Sequence, residues 1–366
     1  MQSDQNCSQL TSKLRSIQKK GADFDELIQP NAKPNIKSAL SLQSEISQEI
    51  KEIIDQLWPF EKLPKAEVER QYDFQIQVLR KRNILENING AEGIYAIDGN
   101  FYPIPTKEQI INKLKEKSET LGLKINQGFT LPLLVPFGMK LRSFADKVSD
   151  TILDHHNQGK LFATKLNESD PDEPLELYAK QHLYLYDDDF DTKASYNPIN
   201  LDTDPKKNKG KTKKEKIKDS DFPGWQFLLL EPLPNLPRGG NVETINGRTQ
   251  LDNTGKSIKQ YIKKGETIPS IEELHKVTQS DPMYQGEQGM IYESWLSYFL
   301  YHLEETNQVI DDYQGNGKIS YLTGAIADGI VPCAYWFRGD RQAYLVRFDP
   351  GDRVVGCAMR LSVGVF

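Results

Sequence analysis

Apolar residues recur at helical spacing in the first part of the chain. One stripe, at three- and four-residue steps and ended by Pro59, consists of Leu42, Ile46, Ile50, Ile53, Ile54 and Leu57. A second stripe runs through a strongly charged stretch and consists of Val68, Tyr72, Ile76 and Leu79. Each stripe predicts an amphipathic helix with one buried face.

Two more helices are predicted further along. Thr106 and Gln109 have the spacing of a capping box, and the helix that they begin is expected to end near Gly122. The next helix carries Phe144, Val148 and Ile152 on one face. We therefore expect a mainly helical N-terminal region over residues 1–159.

After residue 160 the pattern changes to short strand candidates separated by polar loops. The candidates are LFATKL (161–166), HLYLY (182–186) and WQFLLLEPL (225–233). The lysine-rich segment 204–219 is interpreted as a disordered surface loop, with phosphate binding as the alternative. A later helix is predicted by the stripe of Trp295, Leu296, Phe299, Leu300 and Leu303. The predicted class is α+β, with a second domain over residues 160–366.

The length, net charge and apolar runs of the chain disfavour some classes of protein. A chain of 366 residues is long enough for two domains, and a net charge of -6 disfavours nucleic-acid binding as its main role. No apolar run approaches the roughly 20 residues that span a bilayer, and the first residues lack the apolar core of a secretory signal. We expect no membrane insertion and an intracellular or virion-associated location.

No group of residues is a specific signature of catalysis, a cofactor or a metal. The acidic cluster 187–191 could hold calcium, but it lacks the full helix-loop-helix calcium pattern, and a solvated loop is favoured. His155 and His156 are adjacent and point to different faces of a helix. Cys333 and Cys357 are expected to be separate thiols, with a disulfide between them as the alternative, and no histidine that could activate them follows His302. We expect a non-enzyme without cofactor or metal.

The C-terminal tail concentrates aromatic and arginine residues. There is no Glu after Glu305 and no Lys after Lys318. The tail instead carries a set of rings interleaved with arginines: Tyr335, Trp336, Phe337, Arg338, Arg341, Tyr344, Arg347, Phe348, Arg353 and Arg360. Tyr, Trp and Arg dominate binding hot spots. Strand alternation would place Ala343 and Leu345 toward a core, and Tyr344, Val346 and Phe348 on the other face.

Over about the last seventy residues the chain resembles the variable proteins of diversity-generating retroelements. The segments that carry the resemblance are DDYQGNGKISYLTGA (311–325) and VPCAYWFRGDRQAYLVRFDPGDR (331–353). They are followed by a closing strand with Gly356 and Arg360. The resemblance implies a C-type-lectin-like fold in its calcium-independent, formylglycine-generating-enzyme-like form. The part of the chain before the Trp295 helix resembles no specific family.

The resemblance also implies that residues within about 331–363 are diversified by adenine-directed reverse transcription. The codons that this process produces omit Lys, Glu, Gln, Met and Trp, so Trp336, Gln342 and Met359 would be fixed framework. The candidate variable, ligand-binding positions are Cys333, Tyr335, Phe337, Asp340, Tyr344, Val346, Phe348, Asp352, Val354, Val355 and Cys357. On this interpretation the two cysteines are accidental surface thiols.

The implied function is binding of an unknown ligand, expected to be a protein, with homo-oligomerisation as a further expectation. Two alternatives stay open. One is a formylglycine-generating-type oxidase, which would use a reactive cysteine pair. The other is an invariant phage or viral tip protein with the same fold.

Overall fold

The computed structural model describes residues 2–28, 36–56, 58–164, 175–179, 182–186, 189–236, 244–245, 248–249, 269–315, 317–354 and 356–366. The chain is α+β, as predicted, and consists of two compact units, Met1–Lys65 and Ala66–Phe366. In the first unit α1 (Gln2–Leu27) packs against α2 (Ile36–Gln56), and Lys20 Nζ lies 2.7 Å from a Glu45 carboxylate oxygen. The stripe predicted before Pro59 lies within α2 from Leu42 to Ile54, and its last member, Leu57, lies outside the described residues.

The second unit contains the remaining helices and strands. Its described helices are α3 (Lys65–Lys81, which begins at the boundary), α4 (Lys107–Glu116), α5 (Ser118–Asn126), α6 (Leu141–Asn157), α7 (Phe190–Lys193), α8 (Pro205–Asn208), α9 (Lys213–Lys218), α10 (Ile271–Ser280), the 3-10 turn Pro282–Tyr284 and α11 (Tyr292–Thr306). Its described strands are β1 (Glu86–Ile88), β2 (Ala91–Tyr95), β3 (Phe101–Pro103), β4 (Leu131–Val135), β5 (Tyr184–Leu185), β6 (Ala194–Tyr196), β7 (Gln226–Leu230), β8 (Thr244–Ile245), β9 (Arg248–Thr249), β10 (Glu287–Gly289), β11 (Asp312–Tyr313), β12 (Ile319–Tyr321), β13 (Ala325–Ala327), β14 (Val331–Phe337), β15 (Gln342–Phe348), β16 (Cys357–Met359) and β17 (Leu361–Gly364).

Most of the predicted elements are present, with different ends. The capping box of Thr106 and Gln109 begins α4, but this helix ends at Glu116 and α5 continues after a break at Lys117. Of the strand candidates, WQFLLLEPL contains β7 and HLYLY contains only the two residues of β5. In LFATKL the described residues form two isolated bridges at Phe162, with Glu176 and with Gln308, and Lys165 and Leu166 lie outside the described residues.

Two sheets organise the second unit. A four-stranded antiparallel sheet has the order β10-β17-β7-β4. A six-stranded sheet has the order β16-β12-β14-β15-β5, and β11 pairs with β14 in parallel. Helix α11 packs against α6, β4 and β14, so its buried rings fill the space beside both sheets. The chain passes from the six-stranded sheet to the four-stranded sheet at Arg360, between β16 and β17.

The division of the chain differs from the expected boundary at residue 159. Strand β4 lies within the expected helical region, yet it pairs with β7 over Leu131–Val135. Helix α6 likewise packs against α11 from the other side of that boundary. Residues 66–159 therefore share a core with the C-terminal part, because sheet pairing joined segments that are far apart in sequence.

The lysine-rich segment 204–219 is not the disordered loop that its composition predicted. Thr212 and Glu215 form a capping box that begins α9, and Lys213 is fully buried. Its ammonium donates to Asp191 at 2.6 Å and to Glu293 at 2.8 Å. Asp191, expected in a solvated loop, is therefore buried too, while Asp187 and Asp188 lie outside the described residues. The prediction was wrong because the composition of the segment does not show that Lys213 is buried. Its burial depends on two carboxylates that are distant in the sequence.

Replacing Lys213 with Met should destabilise the protein strongly. The change leaves two buried carboxylates without their cation, and breaking a buried pair in this way costs about 3–5 kcal/mol. Urea denaturation of Lys213→Met should show this loss. The neighbouring exposed Lys214→Met should stay within about 0.5 kcal/mol of wild type. Equal denaturation midpoints for the two variants would contradict a structural role for the buried ammonium.

A second ion-pair network joins α3, α6 and α11. The Glu304 carboxylate accepts from Arg82 and from Lys81, and His155 Nε2 lies 3.8 Å from it. Burial opposes its charge, but these partners together lower the pKa of Glu304 to about 2. Its stabilising effect is therefore complete above the ordinary carboxyl pKa of 4.5 and is lost as the pH falls toward about 2.

Substitution Glu304→Gln should remove this pH dependence. At pH 6 we expect a loss on the order of 3 kcal/mol in the free energy of unfolding, shrinking to near zero at about pH 2. Chemical denaturation at several pH values measures it. Glu305→Gln, at a side chain 39% exposed, is the control and should cost less than about 1 kcal/mol. A Glu304→Gln deficit that is constant with pH would refute the assignment.

Candidate ligand-binding surface

The hairpin of β14 and β15 carries most of the predicted site. Its register places Tyr335 opposite Tyr344, and Cys333 opposite Val346. The turn between the strands is tight, with the Arg341 N–H donating to the Phe337 carbonyl at 2.9 Å and Arg341 at a φ of 59°. Paired residues lie on the same face of a sheet, so the register assigns each predicted position to one side.

The face that carries Trp336 is buried, as the alternation predicted for Ala343 and Leu345. All three side chains have zero exposure, and α11 packs on this hairpin strand. Gln342 and Met359, the other two expected framework residues, are also buried, at 5% and 3% exposure, but on the opposite face, where Gln342 pairs with Phe337 and Met359 packs in one cluster with Cys333. The hairpin therefore rests on a close-packed core.

The opposite face divides into a covered end and an open end. At the covered end, α10 and the 3-10 turn after it contribute Ile271, Leu274 and Tyr284 to one apolar cluster with the sheet. Cys333 and Cys357 lie in this cluster with zero exposure. The expectation of surface thiols was wrong, because a helix that the sequence analysis had not identified covers these positions.

Burial also sets the chemistry of these cysteines. Neither forms a disulfide bond, and desolvation raises the pKa of the Cys333 thiol well above its ordinary value. Because the thiolate is the reactive form, a thiol in this state is a poor nucleophile. Val346, Phe348 and Val354 are partly buried against the same cluster, so only part of each side chain reaches the surface.

The open end presents five rings in contact, here named the aromatic patch: Tyr184, Tyr313, Tyr335, Phe337 and Tyr344. Tyr335 and Tyr344 stack across the hairpin with their centroids 5.4 Å apart and their planes at 8°. Tyr184 lies 5.3 Å from Tyr344 and is 43% exposed, while the other four rings are partly buried. The patch combines five aromatic rings with the hydroxyl groups of its four tyrosines.

Two polar contacts hold the edge of the aromatic patch. The Tyr344 hydroxyl donates to the Asp340 carboxylate in the turn, and burial together with this carboxylate raises the pKa of Tyr344. Arg338 donates from Nε to the buried Asp312 at 2.8 Å, and this carboxylate raises the pKa of the guanidinium. The turn is therefore fixed against the sheet by a charge-assisted hydrogen bond.

The remaining predicted positions lie in the loop after β15. The Asp352 carboxylate accepts from the Asp349 N–H at 3.0 Å and closes a tight turn, with Asp352 partly buried. Val354 packs against the apolar cluster, and Val355 lies outside the described residues. These positions are separate from the aromatic patch.

Sequence reasoning missed two rings of the patch and the helix that limits it. Tyr184 and Tyr313 come from β5 and β11, which pair with the hairpin in parallel and are distant in sequence from it. A signal for α10 was present, because Ser270 and Glu273 have capping-box spacing and form one. No local signal places Tyr184 beside Tyr344.

In the described part of the chain no group of His, Cys, Asp and Glu side chains could hold a metal ion. Within the same ranges no helix is both long enough and apolar enough to cross a membrane. No family model matches the chain, and no curated protein or solved structure is similar enough to count as a match.

A substitution in the core of the hairpin should lower the free energy of unfolding more than a substitution at its open end. Trp336→Ala empties a fully buried site and should cost about 3–5 kcal/mol. Tyr344→Ser removes a partly exposed ring and should cost no more than about 1.5 kcal/mol, the scale of an aromatic pair. Thermal and urea unfolding measure both variants, and similar losses would contradict the two-face description.

Proposed function

We propose that this protein is a ligand-binding variable protein of the retroelement-diversified kind, with a C-type-lectin-like fold over its C-terminal part. The observation that carries the proposal is the aromatic patch, which gathers five rings at one end of a hairpin whose other face is fully packed. We propose a protein ligand, bound without calcium or catalysis.

The physical properties of the patch suit this role. Tyrosine offers a large contact area and a polar handle while losing little conformational entropy on binding. The rings already contact one another, and Asp340 and Asp312 fix the turn beside them. A surface ordered before it meets its ligand loses less entropy in the complex. Assembly of several copies would raise the effective affinity further.

The burial of each side chain reduces the set of positions that we propose to be variable. Phe337, Asp340 and Tyr344 reach solvent on a rigid support, so many side chains would be accommodated there. Tyr335 is partly exposed as well, but it also packs against the apolar cluster. Cys333 and Cys357 are withdrawn from the set, because a larger or charged side chain would have to enter the apolar cluster. Val346, Phe348 and Val354 should accept mainly apolar replacements.

Deep sequencing of the 3′ end of this gene across a natural population tests the proposal. We expect substitutions concentrated at the codons of Tyr335, Phe337, Asp340 and Tyr344, with Trp336 unchanged. A near-copy of the region beside a reverse transcriptase gene should accompany them. Cys333 and Cys357 are internal controls that should be invariant or replaced only by small apolar residues.

Two outcomes would refute the proposal. A uniform tail without a template copy would refute diversification and would favour the invariant tip protein. Substitutions spread evenly over the buried and the open positions would refute the assignment of the surface.

In a laboratory test without any ligand, a library randomised at Tyr335, Phe337 and Tyr344 should yield mostly folded protein by protease resistance. A library randomised at Trp336, Ala343 and Leu345 should not.

A further inference from the structure

A cavity of about 450 Å³ lies in the second unit and shares no residue with the aromatic patch. Its wall is partly aromatic, with Phe137, Trp225 and Phe366 among the lining residues. Lysines from three segments also line it, namely Lys117, Lys209, Lys211 and Lys216. Its volume is within the range of small-molecule sites. The combination of an aromatic wall and several cations suits a small anionic molecule with an apolar or planar body.

The acidic residues of the cavity are already neutralised by partners. Asp219 lies 2.8 Å from Lys211 Nζ, and Asp221 lies 3.0 Å from Lys113 Nζ. Among the described residues, neither Lys117 nor Lys209 forms an ion pair with a carboxylate. The cavity therefore keeps a positive balance that would attract an anionic group.

Lys216 differs from the other lysines of its helix. Its side chain is partly buried, and Nζ lies 5.5 Å from the centre of the Phe137 ring. In the described part of the chain no carboxylate hydrogen-bonds to this amine. Desolvation outweighs the attraction of Glu293 and lowers the pKa of Lys216 to about 8, from an ordinary value of 10.5. About a tenth of the amine is thus uncharged at pH 7, against well under a thousandth for a lysine with the ordinary pKa of 10.5, and only the uncharged form is a nucleophile.

Lys213, one helical turn earlier, is a second buried amine beside the same ring, but it is paired with carboxylates. Its Nζ lies 5.4 Å from the same Phe137 ring, but Asp191 and Glu293 hold its ammonium directly. Burial opposes that charge, yet the two carboxylates raise the pKa of Lys213. Among the described residues, carboxylates accept from Lys213 but not from Lys216, so the pKa values of the two amines beside one ring are shifted in opposite directions.

We propose that Lys216 is a carbonyl-reactive amine and that the cavity captures a small anionic aldehyde or ketone. The nitrogen lone pair of Lys216 attacks the carbonyl carbon and forms a carbinolamine. Loss of one water molecule then gives an imine, so amine and carbonyl are converted to imine and water without any change of oxidation state. Lys117 and Lys209 would attract the anionic group, and the aromatic wall would contact the body of the molecule. This capture is independent of the aromatic patch and of its proposed ligand.

The test uses pyridoxal 5′-phosphate and glyoxylate as probes, one with a phosphate and one with a carboxylate. The full-length protein is treated with each probe at pH 7, reduced with borohydride and mapped by peptide mass spectrometry. Lys216 should be labelled at least about tenfold more than the exposed Lys218 on the same helix, because its amine is less protonated. The rate of labelling should rise with a midpoint near pH 8.

Variants and competitors separate the parts of this proposal. Lys216→Arg keeps the charge but forms no imine, so the label at this peptide should disappear, whereas Lys218→Arg should leave it unchanged. Inorganic phosphate should slow labelling, and pyridoxal, which lacks the phosphate, should react at least severalfold more slowly than its phosphate ester. A preference for one probe identifies phosphate or carboxylate as the anionic group.

Equal labelling of Lys214, Lys216 and Lys218 in the wild-type protein would overturn the proposal, and that result does not depend on whether any variant folds. Equal rates for pyridoxal and its phosphate would overturn the anionic part. Removal of the central ring of the aromatic patch by Tyr344→Ser should leave the labelling of Lys216 unchanged, and a change would contradict the independence of the two sites.

Discussion

The buried ion pair of Asp311 and Arg360 connects helix α11 with the two sheets of the second unit. Arg360 lies where the chain leaves the six-stranded sheet for the four-stranded sheet, and it donates to Asp311 and to the Leu233 carbonyl. Asp311 also accepts from Trp295 Nε1 at 2.8 Å and from the Ser320 hydroxyl. Both charges are nearly or fully inaccessible to water. A buried pair of this kind is stable only while every partner is in place, so it fixes α11 and both sheets in one arrangement.

The same segment positions the hairpin that carries the aromatic patch. The Asp311 carbonyl accepts from the Trp336 N–H at 3.0 Å, and the next residue, Asp312, holds Arg338 at the start of the turn. Tyr313 follows and contributes its ring to the patch. Three consecutive residues thus support the core, the turn and the surface. Ring positions fixed in this way are consistent with a surface whose exposed side chains vary while its framework stays constant.

Residues that lie side by side on one face of a strand or helix differ in burial and therefore in role. Tyr335 and Cys333 lie on one face of one strand, yet Tyr335 reaches solvent and Cys333 lies under α10. Lys213 and Lys216 lie on one face of α9 beside one ring, yet within the part of the chain that the structure describes carboxylates accept only from Lys213. In each pair, the neighbours contributed by distant segments decide whether the side chain is structural or available for chemistry.

Local spacing along the chain is enough to predict several helices and the alternation of the hairpin. Apolar spacing predicted α2, α3, α6 and α11, the capping box predicted the start of α4, and alternation assigned Ala343 and Leu345 to the core. What covers each face depends on contacts that form on folding. Lys213 finds its carboxylates 22 and 80 residues away, and β4 pairs with a strand almost a hundred residues later. Periodicity reports which side chains share a face, whereas burial and charge pairing depend on segments that the chain brings together only on folding.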